Sequence, residues 1–306
     1  MSVEIKGLIK KFGQQAAVDD ISFSVTPGEI VGFLGPNGAG KSTTMKIITT
    51  YLPPTAGTVT VFGDDVTQRP QNIRRILGYL PEHNPLYLDM YVKEYLPFIG
   101  GLYGLKGKQL NDKVAEMIEL TGLTSEQHKK LGALSKGYRQ RAGLAQALIH
   151  DPRVLILDEP TTGLDPNQII EIRNLIKLMS KDKIVILSTH IMQEVQALCD
   201  RAVIINKGKI VADGKVSELQ GGVQDQQVLA MEFSAPVDLS GLNDLKTVQS
   251  VEKIDELNYQ VIVKGKEDSR TQIFKMAGEK DWPLVGLKKE ENTMEKIFQQ
   301  LTKSQE

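Results

Sequence analysis

The sequence predicts an α/β protein with a mostly parallel sheet covered on both faces, followed by a smaller α+β domain. Three observations carry this. Short apolar runs at "GEIVGFL" (28–34), "VLILDE" (154–159), "KIVILSTH" (183–190) and "AVIINKG" (202–208) read as buried strands, with helical stretches at 167–181 and 191–200 between the later ones. The first run leads directly into a glycine-rich loop and then a helix, about Lys41 to Tyr51. Finally, composition shifts at "ELQGGVQDQQ" (218–227), a Gly- and Gln-rich stretch that reads as a linker.

Ahead of the loop, residues 1–27 read as a β subdomain, with Ile21, Phe23 and Val25 alternating with polar residues. "PPTAG" (53–57) is a turn and "TVTVFG" after it another strand. Pro70 to His150 is mostly helical, so a helical subdomain is expected at about 80–150, inserted in a core spanning 1–220. The linker is placed at 221–227 and the accessory domain at 228–306. There the order is strand 228–233, helix about 239–246, strands 248–255 and 258–263, helix 269–280, strand 284–288 and helix 293–302, a split β-α-β arrangement.

Composition excludes several classes. A formal net charge of −1 gives no reason to expect nucleic acid or anionic lipid as partner. No stretch approaches the roughly 18 apolar residues of a membrane span, and "MSVEIKGLIKKFG" lacks the apolar region of a secretory leader. The lone Cys199 rules out an internal disulfide framework and fits a reducing cytoplasm. A membrane role must therefore come through a partner.

"GPNGAGKST" fits the P-loop pattern in full. Its residues Gly35, Pro36, Asn37, Gly38, Ala39, Gly40, Lys41, Ser42 and Thr43 are candidate phosphate contacts: backbone N–H groups turn inward, and the helix N-terminus points at the anion. Lys41 supplies a point charge and the Ser42 hydroxyl a ligand for Mg²⁺. Asp158 ends a buried strand, where a carboxylate holds Mg²⁺ through water. Glu159 follows, placed to act as general base on an attacking water. His190 ends another strand expected in the same sheet, and loops at the carboxyl ends of parallel strands converge on the ligand.

"LSKGYRQR" (134–141) is a second anion site: Ser135 suits a helix start and Gly137 lets backbone approach a ligand. A spare anion site on one molecule and a half-covered triphosphate on another suggest two copies packed head to tail. "TTGLDP" (161–166) would lie at that seam, with Asp165 crossing between sites.

In these ordered motifs residues 1–220 resemble the ATP-binding subunits of ABC transporters. The resemblance implies ATP and Mg²⁺ as cofactors, Phe12 stacked on adenine, and an ATP sandwich dimer. In that dimer Ser135 and Gly137 contact the γ-phosphate held by the other subunit. It also implies partner permease subunits, at the cytoplasmic face of the inner membrane. Two departures stand out. Lys136 and Tyr138 flank the signature glycine, as in exporters whose permeases are separate chains. Glu82 stands where the family has the glutamine of its Q-loop, and its carboxylate is in reach of Mg²⁺ or the attacking water. "GYLPEHNPLY" and "SKGYRQRAGLAQALIHDPRVLILDEPTTGLDP" look most like the gliding-motility member of this group.

Tyr87, Tyr91, Tyr95 and Phe98 repeat at helical spacing and are expected on one helix face, either as a docking groove for a permease helix or as core. The tail holds no catalytic constellation and reads as a dimer clasp or a regulatory module. The alternative to transport is an ABC ATPase working on a macromolecular complex. An unrelated P-loop kinase or GTPase would leave 134–141 and "TTGLDP" idle.

Overall fold

The computed structural model describes residues 2–221, 226–239, 241–242, 245, 247–264 and 269–290. The chain divides into two compact units, Met1–Val216 and Ser217–Glu306.

In the first unit β1 (Val3–Phe12) and β2 (Gln15–Val25) form a hairpin, and β3 (Ile30–Leu34) runs into α1 (Lys41–Ile48). Next come β4 (Ala56–Val61), β5 (Asp64–Asp65), α2 (Pro70–Ile76), β6 (Leu77–Leu80), α3 (Val92–Leu102), α4 (Gly107–Leu120) and α5 (Lys136–Leu148). Then β7 (Val154–Asp158), α6 (Pro166–Met179), β8 (Ile184–Thr189), α7 (Met192–Leu198), β9 (Arg201–Asn206) and β10 (Lys209–Lys215) complete it. An antiparallel sheet has the order β2-β1-β4-β5. The main sheet has the order β10-β9-β3-β8-β7-β6, parallel throughout except for the β9–β10 hairpin.

Every residue of β3, β7 and β8 is buried, which is why these strands read as unbroken apolar runs. One core joins the two sheets: Ile5, Leu8 and Phe23 of the antiparallel sheet pack with Phe33, Met45, Ile156, Ile186 and Val203. The Phe23 and Phe33 rings stack at 5.3 Å.

Two expectations change. Leu77–Leu80 is a strand, paired in parallel with β7, inside the stretch expected to be mostly helical. Four residues directly after a helix are too few to show a period of two. The four aromatic residues also do not share a helix face, because α3 begins at Val92. The Glu94 carboxylate accepts the Tyr91 N–H at 3.2 Å and fixes that start, so Tyr87 lies outside the helix and Tyr91 at its cap. Tyr87 nevertheless packs edge-on against Tyr95 and Phe98, with centroids 6.0 and 5.7 Å apart. Tyr95 is buried, while Tyr87, Tyr91 and Phe98 are exposed. His150 is structural: it stacks on Tyr103, and burial holds its pKa down to about 4.

The second unit begins with α8 continuing from the first (Val216–Gly221). It contains β11 (Gln226–Phe233), β12 (Val248–Lys253), β13 (Asn258–Lys264), α9 (Arg270–Glu279) and β14 (Leu284–Glu290). The antiparallel order β12-β13-β11-β14 places the first strand between the third and fourth, the arrangement of a split β-α-β fold. Alternate residues Leu229, Met231, Phe233, Tyr259, Val261 and Val263 form its core with Ile273, and Trp282 packs against it. The expected helix at 239–246 and the linker at 221–227 fall partly outside the described residues, and the helix at 293–302 wholly so. Among the described residues no helix is long and apolar enough to cross a membrane.

Ile186 sits between Val31 and Ile156 in the sheet and is fully buried. Ile186→Ala is expected to cost about 3 kcal/mol, read as a lower midpoint of chemical denaturation.

Candidate functional site

The glycine-rich loop closes over β3 because two of its positions have no room for a side chain. A Cβ on Gly35 would lie 2.4 Å from the Ile205 carbonyl oxygen. One on Gly40, at φ 110°, would lie 2.5 Å from that of Ala17. No side chain caps α1, and its first intrahelical bond is Thr44 N–H to Gly40 O. The amides of Lys41, Ser42 and Thr43 therefore remain as donors for an anion. Lys41 is buried and donates to the carbonyls of Gly35 (2.8 Å) and Pro36 (3.3 Å). Its Nζ also lies 3.4 Å from Glu159 Oε1.

Strand ends fix the carboxylates. Asp158 closes β7 and accepts from Ser42 Oγ at 3.2 Å and from Ser188 Oγ on β8. Burial pushes its pKa up; the two serine hydroxyls pull it back, while Glu82 and Glu159 add to the rise. Glu159, just beyond the strand, has a left-handed backbone (φ 51°), which for a non-glycine residue costs on the order of 1 kcal/mol. Its N–H donates to Ser188 O (3.1 Å) and Ser188 Oγ (3.2 Å), so the neighbouring strand holds the turn. Its carboxylate accepts from Thr162 Oγ1 at 3.2 Å and meets His190 Nδ1 at 2.9 Å. An ionised carboxylate only accepts, so the His190 proton sits on Nδ1 in this pair.

A cavity of about 510 Å³ is lined by Asn37, Gly38, Gly40, Lys41, Ser42 and Thr43 together with Glu82, Glu159 and His190. Ser135, Gly137, Asp165 and Phe12 are not among its lining residues, nor are Gly35, Pro36, Ala39 and Asp158; Asp158 lines a neighbouring cavity together with Ser42 and Glu82. Ser135 caps α5, accepting from Tyr138 N–H at 3.4 Å, and Asp165 caps α6, accepting from Gln168 N–H at 3.0 Å. The Gln168 side chain covers Gly137: a Cβ there would lie 2.3 Å from its Oε1. Phe12 is half exposed at the end of β1, with the Lys10 ammonium 5.2 Å above its ring.

The donor set fits Mg²⁺. Ser42 and Asp158 offer two hard oxygens within 3.2 Å of each other. Among the described residues no cluster of three His, Cys, Asp or Glu side chains is placed to hold a metal. Glu82 lines the same cavity. Sequence reasoning missed Ala17 and Thr162, which also line it, and Gln140, whose Nε2 donates to Pro160 O at 2.8 Å. Thr162 and Gln140 lay in quoted motifs without an assigned role, and nothing in the local pattern marked Ala17.

The ABC transporter family model matches residues 18–162. The chain is 38% identical over 239 residues to the ABC transporter ATP-binding protein YxlF of Bacillus subtilis, covering 78% of each chain. It is 38% identical over 213 residues to the Nod factor export ATP-binding protein I of Burkholderia lata, covering 69% of this chain and 70% of that one. A solved ATP-binding subunit of an ABC transporter superposes with a TM-score of 0.68 at 29% identity, covering 73% of this chain and 94% of that one. The dimeric structure of MJ0796, a bacterial ABC transporter cassette, superposes with a TM-score of 0.64 at 24% identity, covering 70% and 98%.

Because burial raises the Asp158 pKa, its ionised form is a cost to folding, and it protonates at a higher pH than an ordinary carboxylate. Asp158→Asn is accordingly expected to melt at a higher temperature than the parent chain in nucleotide-free buffer, while losing Mg²⁺-dependent ATP turnover. Differential scanning calorimetry and a phosphate-release assay check the two halves.

Proposed function

The chain belongs to the ABC transporter ATP-binding proteins, which hydrolyse ATP to power transport. From that premise we propose that it is the energy-supplying subunit of an exporter, held at the cytoplasmic face of the inner membrane by a separate permease. The export-type relative and the lack of a membrane-crossing helix among the described residues support this. Its finer form, a gliding-motility exporter, is supported by the motif resemblance at 78–87 and 135–166.

In this reading the 35–43 loop wraps the triphosphate and Lys41 moves its charge from Glu159 to phosphate oxygens. Ser42 and Asp158, with Glu82 nearby, would hold Mg²⁺, which would supply positive charge against the phosphates. Glu159 takes the proton of the attacking water, and His190 holds that carboxylate in place. Phe12 stacks on the adenine. Ser135, Gly137 and Asp165 of a second copy complete the pocket, and closing and opening of that pair drives the permease.

One observation carries the shared site. The phosphate cavity is lined by Asn37, Gly38, Lys41, Ser42, Thr43, Glu159 and His190, while Ser135 and Asp165 stand apart from it as the caps of α5 and α6.

Glu159→Gln is expected to bind ATP, lose about 100-fold or more in turnover, and double in mass by light scattering when ATP is added. Full turnover would remove Glu159 as the base. Ser135→Arg is expected to abolish turnover although its own P-loop is intact, and activity in that variant would overturn the shared pocket.

A further inference from the structure

Glu194 on α7 is 1% exposed, yet among the described residues no Lys, Arg or His nitrogen lies within 4 Å of its carboxylate. Both oxygens are instead taken by hydroxyls. Thr161 Oγ1 donates to Oε1, and Thr189 Oγ1 donates to Oε2 at 2.7 Å. A buried carboxylate held by hydroxyls without a counter-ion costs more to bury than an aliphatic residue of similar size, so packing alone does not account for it.

The two threonines belong to the two loops of the hydrolytic pair. Thr161 lies in the turn 159–162, where Glu159 has its left-handed backbone and Thr162 N–H donates to Glu159 O at 3.2 Å. Thr189 immediately precedes His190. Its hydroxyl accepts the Ile191 N–H at 3.0 Å, and its carbonyl accepts the Gly35 N–H at 3.3 Å.

We propose that Glu194 is a positioning residue for hydrolysis: through Thr161 and Thr189 it clamps the Glu159 turn to the His190 strand end. The clamp keeps the Glu159 carboxylate and the His190 imidazole in contact while Lys41 exchanges partners. This inference rests on Glu159 and His190 serving hydrolysis.

The test uses the full chain. kcat and KM for MgATP are measured with the number of ATPγS molecules bound per chain, for Glu194→Ala, Glu194→Gln, Thr161→Val and Glu159→Gln. Glu194→Ala is expected to lose at least about ten-fold in kcat, with KM within about two-fold and one ATPγS still bound per chain. Glu194→Gln keeps one acceptor and gains a donor that a threonine oxygen can accept, so it recovers kcat to within about three-fold. Thr161→Val, nearly the same shape, lowers kcat several-fold.

Parent-like kcat in Glu194→Ala overturns the proposal. So does a fall that follows lost ATPγS sites or a raised KM, or a Gln variant as slow as Ala. Should Glu194→Ala fail to fold, parent-like kcat in Thr161→Val overturns it instead. Undiminished turnover in Glu159→Gln would mean that the hydrolytic reading itself is wrong. A dead Glu159→Gln beside a normal Glu194→Ala condemns the clamp alone.

Discussion

Everything at the site depends on parallel strands that end level with one another. In the ladder Leu34 lies beside Thr189, and Asp158 beside Ser188. The P-loop, the Asp158–Glu159 pair and His190 therefore leave the sheet along one edge. A register slip of one residue would turn Asp158 to the opposite face, and a slip of two would move it by about 6.6 Å. The fully buried runs of β3, β7 and β8 make either slip costly. Hydrophobic register thus sets the geometry of a polar site, and the site spends stability that the core supplies.

That expenditure is concentrated. Asp158 is buried against its own charge, Glu159 is held in a backbone region that L-residues avoid, and Lys41 and Glu159 are each only 6% exposed. Ser188 has a double part. Its hydroxyl donates to Asp158, and its carbonyl and hydroxyl accept the Glu159 N–H. One small residue on a neighbouring strand thereby orients both carboxylates, which accounts for a serine directly after the apolar run Ile184–Leu187.

The phosphate loop and both acidic residues were legible because each is contiguous: a strand, a motif and a helix follow one another with their own periodicities. What escaped is what forms only across the fold. β6 is four residues long and becomes a strand through β7. Tyr87 joins Tyr95 and Phe98 by a turn rather than by helical spacing. Glu194 gave no signal, since a glutamate four positions after a histidine looks like any solvated helix residue until its burial is known. Ala17 lines the cavity with no side-chain chemistry at all, and only tertiary packing of the hairpin places it there.

The helix that begins at Ser135 supplies the remaining argument for an external anion. The positive end of a helix dipole favours acidic neighbours, yet α5 has none in its first turn. It carries Lys136 there and Arg139 one position further, both raising the local potential. Arg139 spends one donor on the Leu134 carbonyl, and the Ser135 hydroxyl caps at 3.4 Å, longer than a well-formed N–H···O bond. Such an arrangement concentrates positive potential at the start of α5. Within the chain Gln168 already covers Gly137. Ser135 and Lys136 are exposed at this helix start, so in the proposed pair they would meet a triphosphate first, and Gly137 would do so only after Gln168 moved aside.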